Sequence, residues 1–99
     1  MAFQTGIKED TRIKLKKPNL YHVIMHNDDF TAMDFVVEIL MTIFHKEQEE
    51  AVALMMLVHN GQRAVVGTYS YDIARTKAEE AEERARKQGF PFRLSVEEA

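Results

Sequence analysis

The chain has 99 residues, 45% of them hydrophobic and 29% charged, which suits one folded domain with a single core. Its net charge of -3 lacks the basic excess of a duplex-binding protein, so nucleic acid is not an expected partner. There is no cysteine, hence no disulfide, thiolate nucleophile or cysteine-based zinc site, and the longest apolar run, AVALMMLV at 51–58, is far too short to span a bilayer.

Residues 1–17 mix charge and polarity and are expected to form a flexible tail ending at Pro18, with weak strand character at Ile13 and Leu15. The opening MAFQTGIKED shows no signal-peptide pattern, so a cytoplasmic protein with a core domain over 18–99 is expected. In LYHVIMH, Tyr21, Val23 and Met25 alternate with His22, Ile24 and His26, the period of a strand. A polar turn, HNDD, follows. The next run carries apolar residues at Met33, Val36, Val37, Leu40, Ile43 and Phe44, which is helix spacing. Thr31 is the expected N-cap, with Asp34 three residues on as its capping-box acid.

EQEEAVALMMLVHNG predicts a second helix, its acids in the first turn and Gly61 at its end. RAVVGTY reads as a buried strand and SYD as a turn. IARTKAEEAEERARKQG predicts a third helix whose charges follow the macrodipole. Ala74, Ala78, Ala81 and Ala85 share one face of it, a smooth seam for close packing on a sheet, and Gly89 and Pro91 stop it. FRLSV closes the chain as a strand with Phe92, Leu94 and Val96 on one face. The predicted order is strand, helix, helix, strand, helix, strand. That is an α+β two-layer sandwich, a three-stranded antiparallel sheet with three helices mostly on one face.

Two stretches carry chemistry. Asn27 and Asp28 can make the turn and Asp29 and Thr31 cap the helix, yet one cap needs one good acceptor and here four lie within five residues, with no basic neighbour. Such a cluster suits a cation. A metal held by His26, Asp28, Asp29 and His59 is one choice, although no ligand-spacing motif supports it, and an organic ammonium is the other. In LMMLVH, Met55, Val58 and His59 lie at i, i+3 and i+4 on one helical face, and the first helix offers a stripe of Met33, Val36, Val37 and Leu40. Packed beside the turn, these faces would form a Met- and Val-lined hollow next to the acceptors. No nucleophile elbow, phosphate-cradling loop or acid–base pair of acids is present, so an enzyme is not expected. The alternatives are a metal-dependent small hydrolase using the His/Asp cluster, or an interaction domain without a ligand pocket.

Four blocks in order, NDDFTAMDFVVEIL, LMMLVHNGQRAVVG, DIARTK and FPFRLSVEEA, resemble the ClpS family, the bacterial adaptors of the ClpAP protease. The resemblance spans about residues 18–99. It implies a non-enzymatic, monomeric adaptor with no cofactor or metal, which binds N-degron substrates beginning with Leu, Phe, Tyr or Trp. It would deliver them to a ClpA-type AAA+ unfoldase. On this sequence the family's α-amino recognition falls on Asn27, Asp28 and His59. Its side-chain pocket falls on Asp29, Thr31, Met33, Val36, Met55, Val58 and Phe92, and its unfoldase contacts on Asp72 and Lys77. The family's N-terminal extension, here 1–17, also engages the unfoldase. Four positions depart from the family: Ala32 where Pro is frequent, Phe92 for Leu, Arg75 for an acid in some members, and His26 for an apolar residue.

Overall fold

The computed structural model describes residues 19–99, so the expected tail at 1–17, with Ile13 and Leu15, lies outside the described residues. Six elements follow in the predicted order: β1 (Tyr21–Met25), α1 (Met33–Thr42), α2 (Gln48–His59), β2 (Ala64–Tyr69), α3 (Tyr71–Lys87) and β3 (Leu94–Glu98). The sheet runs β2–β1–β3, with β1 antiparallel to both neighbours. The α+β two-layer reading holds.

Register explains which face each side chain takes. Met25 lies opposite Ala64 and Leu94, and Val23 opposite Gly67 and Val96, so these residues form the inner face under the helices. His22 lies opposite Thr68 and Glu97, and Ile24 opposite Val65 and Ser95, on the other face. A bulge between Val23 and Ile24 leaves Val66 unpaired and directed inward, where it is fully buried. β2 was expected as a buried strand throughout. It is instead an edge strand of alternating burial, with Val65 46% exposed, because no helix among the described residues covers the second face of the sheet.

Ile24 shares that second face, yet only 3% of it is exposed. Arg63 precedes β2 and Glu97 lies on β3, and the guanidinium donates to both Glu97 oxygens at 2.9 Å. By register this pair runs diagonally across β1, over Ile24. As an exposed ion pair it contributes little Coulomb energy, but its aliphatic stems shield the isoleucine.

α3 lies on the inner face through its alanines, with Ala74, Ala78, Ala81 and Ala85 all buried. It begins at Tyr71, two residues earlier than expected, and Glu82 reaches across to accept from the Leu94 N–H at 2.9 Å, fixing the start of β3. β3 itself begins at Leu94, so Phe92 is a buried residue ahead of the strand and not part of it. Its ring meets Phe35 edge-on at 6.1 Å, and Phe35 in turn packs on Phe90 at 5.1 Å.

α1 and α2 pack against each other. α1 buries Phe35, Val36, Ile39 and Leu40, a face shifted from the expected stripe, since Met33 is exposed and Val37 half-buried, and Ile43 and Phe44 are buried just past its end. α2 and α3 end alike. Gly61 (φ +94°) donates to Val58 O and Gln62 to Leu57 O, while Gly89 (φ +79°) donates to Arg86 O and Phe90 to Ala85 O. Both are Schellman closures, which need the left-handed conformation that glycine adopts without strain. These two turns set the exits of the helices, and the first of them fixes His59 at the end of α2.

Candidate functional site

The HNDD turn is built around Asp28. Its Oδ1 accepts from the backbone N–H groups of Phe30 at 2.8 Å and Thr31 at 2.7 Å, and its Oδ2 accepts from the Thr31 hydroxyl at 2.8 Å. Thr31 is therefore not the N-cap of α1. That place falls to Ala32, which makes no side-chain cap, and Asp34 forms no capping box. The reason is competition: the Thr31 hydroxyl is held by Asp28 before it can turn toward the helix. Asn27 and Asp29 are exposed and make no side-chain hydrogen bond among the described residues.

Burial works to raise the Asp28 carboxyl. The Thr31 hydroxyl and the Phe30 and Thr31 N–H groups outweigh it and hold the group below its ordinary value. Asp28 is thus a carboxylate at neutral pH. A carboxylate offers about four lone-pair sites, and the turn uses three, which leaves room for one further donor.

Next to this turn opens a pocket of about 300 Å³, counting the space at its mouth. The turn supplies His26, Asn27, Asp28 and Thr31, α1 supplies Met33 and Val36, α2 supplies Met55, Val58 and His59, and Phe92 closes the wall. Val36, Val58 and Phe92 are buried, Met55 is half-buried, and Asn27 and His59 are exposed. An apolar interior thus meets a polar rim. The lining contains one carboxylate and no lysine or arginine, so the rim favours a cation.

Nine of the ten residues expected from sequence to form the binding site line this one pocket. Asp29 does not. It lies on an adjoining groove with Phe30 and Ala32, which shares Asn27, Asp28, Thr31, Met33 and His59 with the pocket. His26 is a wall residue that sequence reasoning considered only as a metal ligand. Strand alternation places it with His22 and Ile24 on the far face, and its bond to Ser95, the partner of Ile24, agrees; the residue lines the pocket because it stands where β1 gives way to the turn. Among the described residues no group of three or more His, Asp or Glu side chains could hold a metal ion. The His26, Asp28, Asp29 and His59 set is dispersed, with His26 Nε2 engaged by Ser95 Oγ at 2.7 Å.

Away from the pocket, Asp72 is exposed in the first turn of α3, whereas Lys77 is half-buried. Arg75 pairs with Glu79 at 2.8 Å on the same helix. No helix among the described residues is long and apolar enough to cross a membrane.

A family model described as ATP-dependent Clp protease adaptor protein ClpS matches residues 16–95. The ATP-dependent Clp protease adapter protein ClpS of Acetivibrio thermocellus is 46% identical over 97 residues, covering 98% of this chain and 98% of that one. Its counterpart in Wolinella succinogenes is 47% identical over 96 residues, 97% of this chain and 92% of the relative. Among solved structures, Agrobacterium tumefaciens ClpS2 bound to L-phenylalaninamide superposes with a TM-score of 0.80 at 36% identity, covering 84% of this chain and 100% of that one.

Proposed function

Because the chain belongs to the ClpS family of ATP-dependent Clp protease adaptors, we propose that it binds the first residue of proteins beginning with Leu, Phe, Tyr or Trp. It then hands these N-degron substrates to a ClpA-type unfoldase for degradation by ClpP. In this reading it catalyses no reaction, needs no cofactor, and acts as a cytoplasmic monomer.

The observation that carries the reading is the meeting of a polar rim and an apolar pocket in one site. An α-amino group, with an ordinary pKa near 8, arrives charged at neutral pH. Asn27, Asp28 and His59 receive its three N–H donors, and Asp28, the one carboxylate of the lining, supplies the charged acceptor through its free lone-pair site. The side chain on the same carbon enters between Met33, Val36, Met55, Val58 and Phe92, with Thr31 at the edge. L-phenylalaninamide, the molecule bound to the Agrobacterium relative, carries both halves, an ammonium and a benzyl group.

Magnitudes explain why a chain end is selected over an internal leucine. Each charge-assisted hydrogen bond contributes about 1.5–3 kcal/mol, and burying a Leu or Phe side chain contributes a similar amount. Ordering the peptide end offsets much of the sum. The remainder is about -8 kcal/mol, or micromolar affinity, and either half alone falls short of it.

The exposed Asp72, with Lys77 at its margin, is the surface proposed to meet the unfoldase. It lies at the start of α3, which leaves the pocket open while the partner is bound. The test of the main reading is fluorescence anisotropy with a Phe-start peptide and its N-acetylated twin. Acetylation removes the charge and the donors but keeps the side chain, so binding should be lost. Equal affinity for the two peptides would overturn the reading.

A further inference from the structure

We infer that Met33 is a modification site: a peroxide that oxidises its thioether to the sulfoxide loosens the pocket's hold on the first residue, and reduction restores it. The inference rests on the reading that the pocket takes the first side chain of the substrate.

Accessibility and position coincide at this methionine alone among the described residues. Met33 is the first residue of α1, 46% exposed, and lies on the rim common to the pocket and the adjoining groove. Met41 and Met56 are open to a similar degree, 38% and 42%, but neither lines the pocket. Met55 lines the pocket but is half-buried, and Met25 is fully buried in the core. An oxidant in solution therefore reaches Met33, Met41 and Met56 first. Only at Met33 does the product stand where a ligand enters.

The step transfers one oxygen atom and two electrons. A lone pair of the Met33 sulfur attacks one oxygen of hydrogen peroxide, an S–O bond forms and the O–O bond breaks. The second oxygen leaves as water with both peroxide hydrogens, so the sulfur is oxidised and the peroxide reduced. The product puts a polar, chiral sulfoxide where a flexible apolar thioether stood. At the rim it gives up apolar contact with the entering side chain. A bound side chain must also strip water from the new oxygen, which costs more than covering a thioether. That oxygen is an acceptor, but Asn27, Asp28 and His59 already match the three N–H donors of the ammonium. It therefore adds no bond to offset the loss.

The experiment treats the full chain with hydrogen peroxide for increasing times. Mass spectrometry of its peptides measures sulfoxide at each methionine, and anisotropy measures affinity for a Phe-start peptide on the same samples. Affinity should fall about tenfold as the Met33 sulfoxide accumulates, and should recover with methionine sulfoxide reductases A and B, one for each epimer. Bound Phe-start peptide should slow oxidation of Met33 but not of Met41 or Met56, and its N-acetylated twin should slow none of them. A Met41→Leu, Met56→Leu double variant should respond to peroxide as the parent does, whereas Met33→Leu should keep whatever affinity it starts with. Undiminished binding once Met33 is oxidised overturns the inference and leaves the pocket reading standing. So does a loss that follows the sulfoxide at Met41, Met55 or Met56, or a Met33 that stays reduced while Met41 and Met56 oxidise; none of these needs a variant to fold. Failure of the untreated protein to bind the Phe-start peptide removes the pocket reading and this inference together.

Discussion

The ammonium of Lys77, on α3, donates a 2.8 Å hydrogen bond to the carbonyl of Ile43 at the carboxyl end of α1. It closes a helix end that has no glycine, where His45 instead takes the left-handed conformation at φ +58° and Lys46 N–H bonds back to Leu40 O. The same ammonium sits 5.4 Å from the centre of the Tyr69 ring. One side chain thus joins α1, α3 and β2.

Lys77→Met should therefore lower stability by about 1–2 kcal/mol, measured by urea denaturation, by leaving the Ile43 carbonyl uncapped. The unfoldase proposal must be separated from this effect. Asp72→Ala, on an exposed side chain, should weaken unfoldase binding with an unchanged denaturation midpoint. A Lys77→Met protein as stable as the parent would show the cap to be worth nothing.

Asp28 and Thr31 give a pH-dependent prediction. The Asp28 carboxyl is held below its ordinary value, in part by the Thr31 hydroxyl. A group with a depressed folded pKa stabilises the fold above its unfolded value of about 3.9, and that contribution disappears as pH falls through the folded value. Thr31→Val should raise the Asp28 pKa, seen by NMR titration of its carboxyl carbon. The stability gap between parent and variant should be widest near neutral pH and close in acid. A gap of constant size across that range would mean that the hydroxyl acts through packing and not through the carboxylate.

Met33 stands on the rim shared by the pocket and the adjoining groove, 46% exposed. A first residue branched at Cβ carries its extra methyl at the level of this rim. Met33→Ala should admit peptides beginning with Ile or Val, raising their affinity about tenfold while changing that of a Leu-start peptide little. Competition against a labelled Phe-start peptide measures both. An unaltered preference would rule out a steric gate at this position.

Gly67 is required for a different reason from the two helix-ending glycines. Its φ is not left-handed; instead the Tyr69 ring folds back over it, and a Cβ there would run into that ring. Gly67→Ala should displace Tyr69 and disturb the contact with Lys77, costing about 1–3 kcal/mol on thermal or urea unfolding. Gly67→Ala combined with Tyr69→Ala should lose less than the sum of the two, since the second change removes the obstacle.

The six elements were legible because each depends on nearby residues. The alanine seam at every third or fourth place, the alternation of Tyr21, Val23 and Met25, and the glycines at 61 and 89 express local backbone preferences. The pairing of a polar turn with two Met/Val stripes was legible for the same reason. What the stripes enclose was less so. Periodicity assigns a side chain to a face, but what covers that face depends on which elements, distant in sequence, pack there.

Three cases show where local pattern stops. AVVGTY is apolar enough for a central strand, yet the sheet order puts it at an edge and leaves Val65 in solvent. In HNDDFT the sequence offered more acceptors than the turn could use, and only the folded loop chose Asp28 to bind Thr31, set Asp29 outside the pocket and left α1 without a side-chain cap. His26 follows the strand alternation, its ring meeting Ser95 on the face of Ile24, yet the residue also lines the pocket, which alternation alone could not show. The sequence by itself therefore determined the kind and order of the elements and the residue types available to a site. The tertiary structure decided which of those residues meet, since hydrogen-bond geometry and burial depend on positions set by the whole chain.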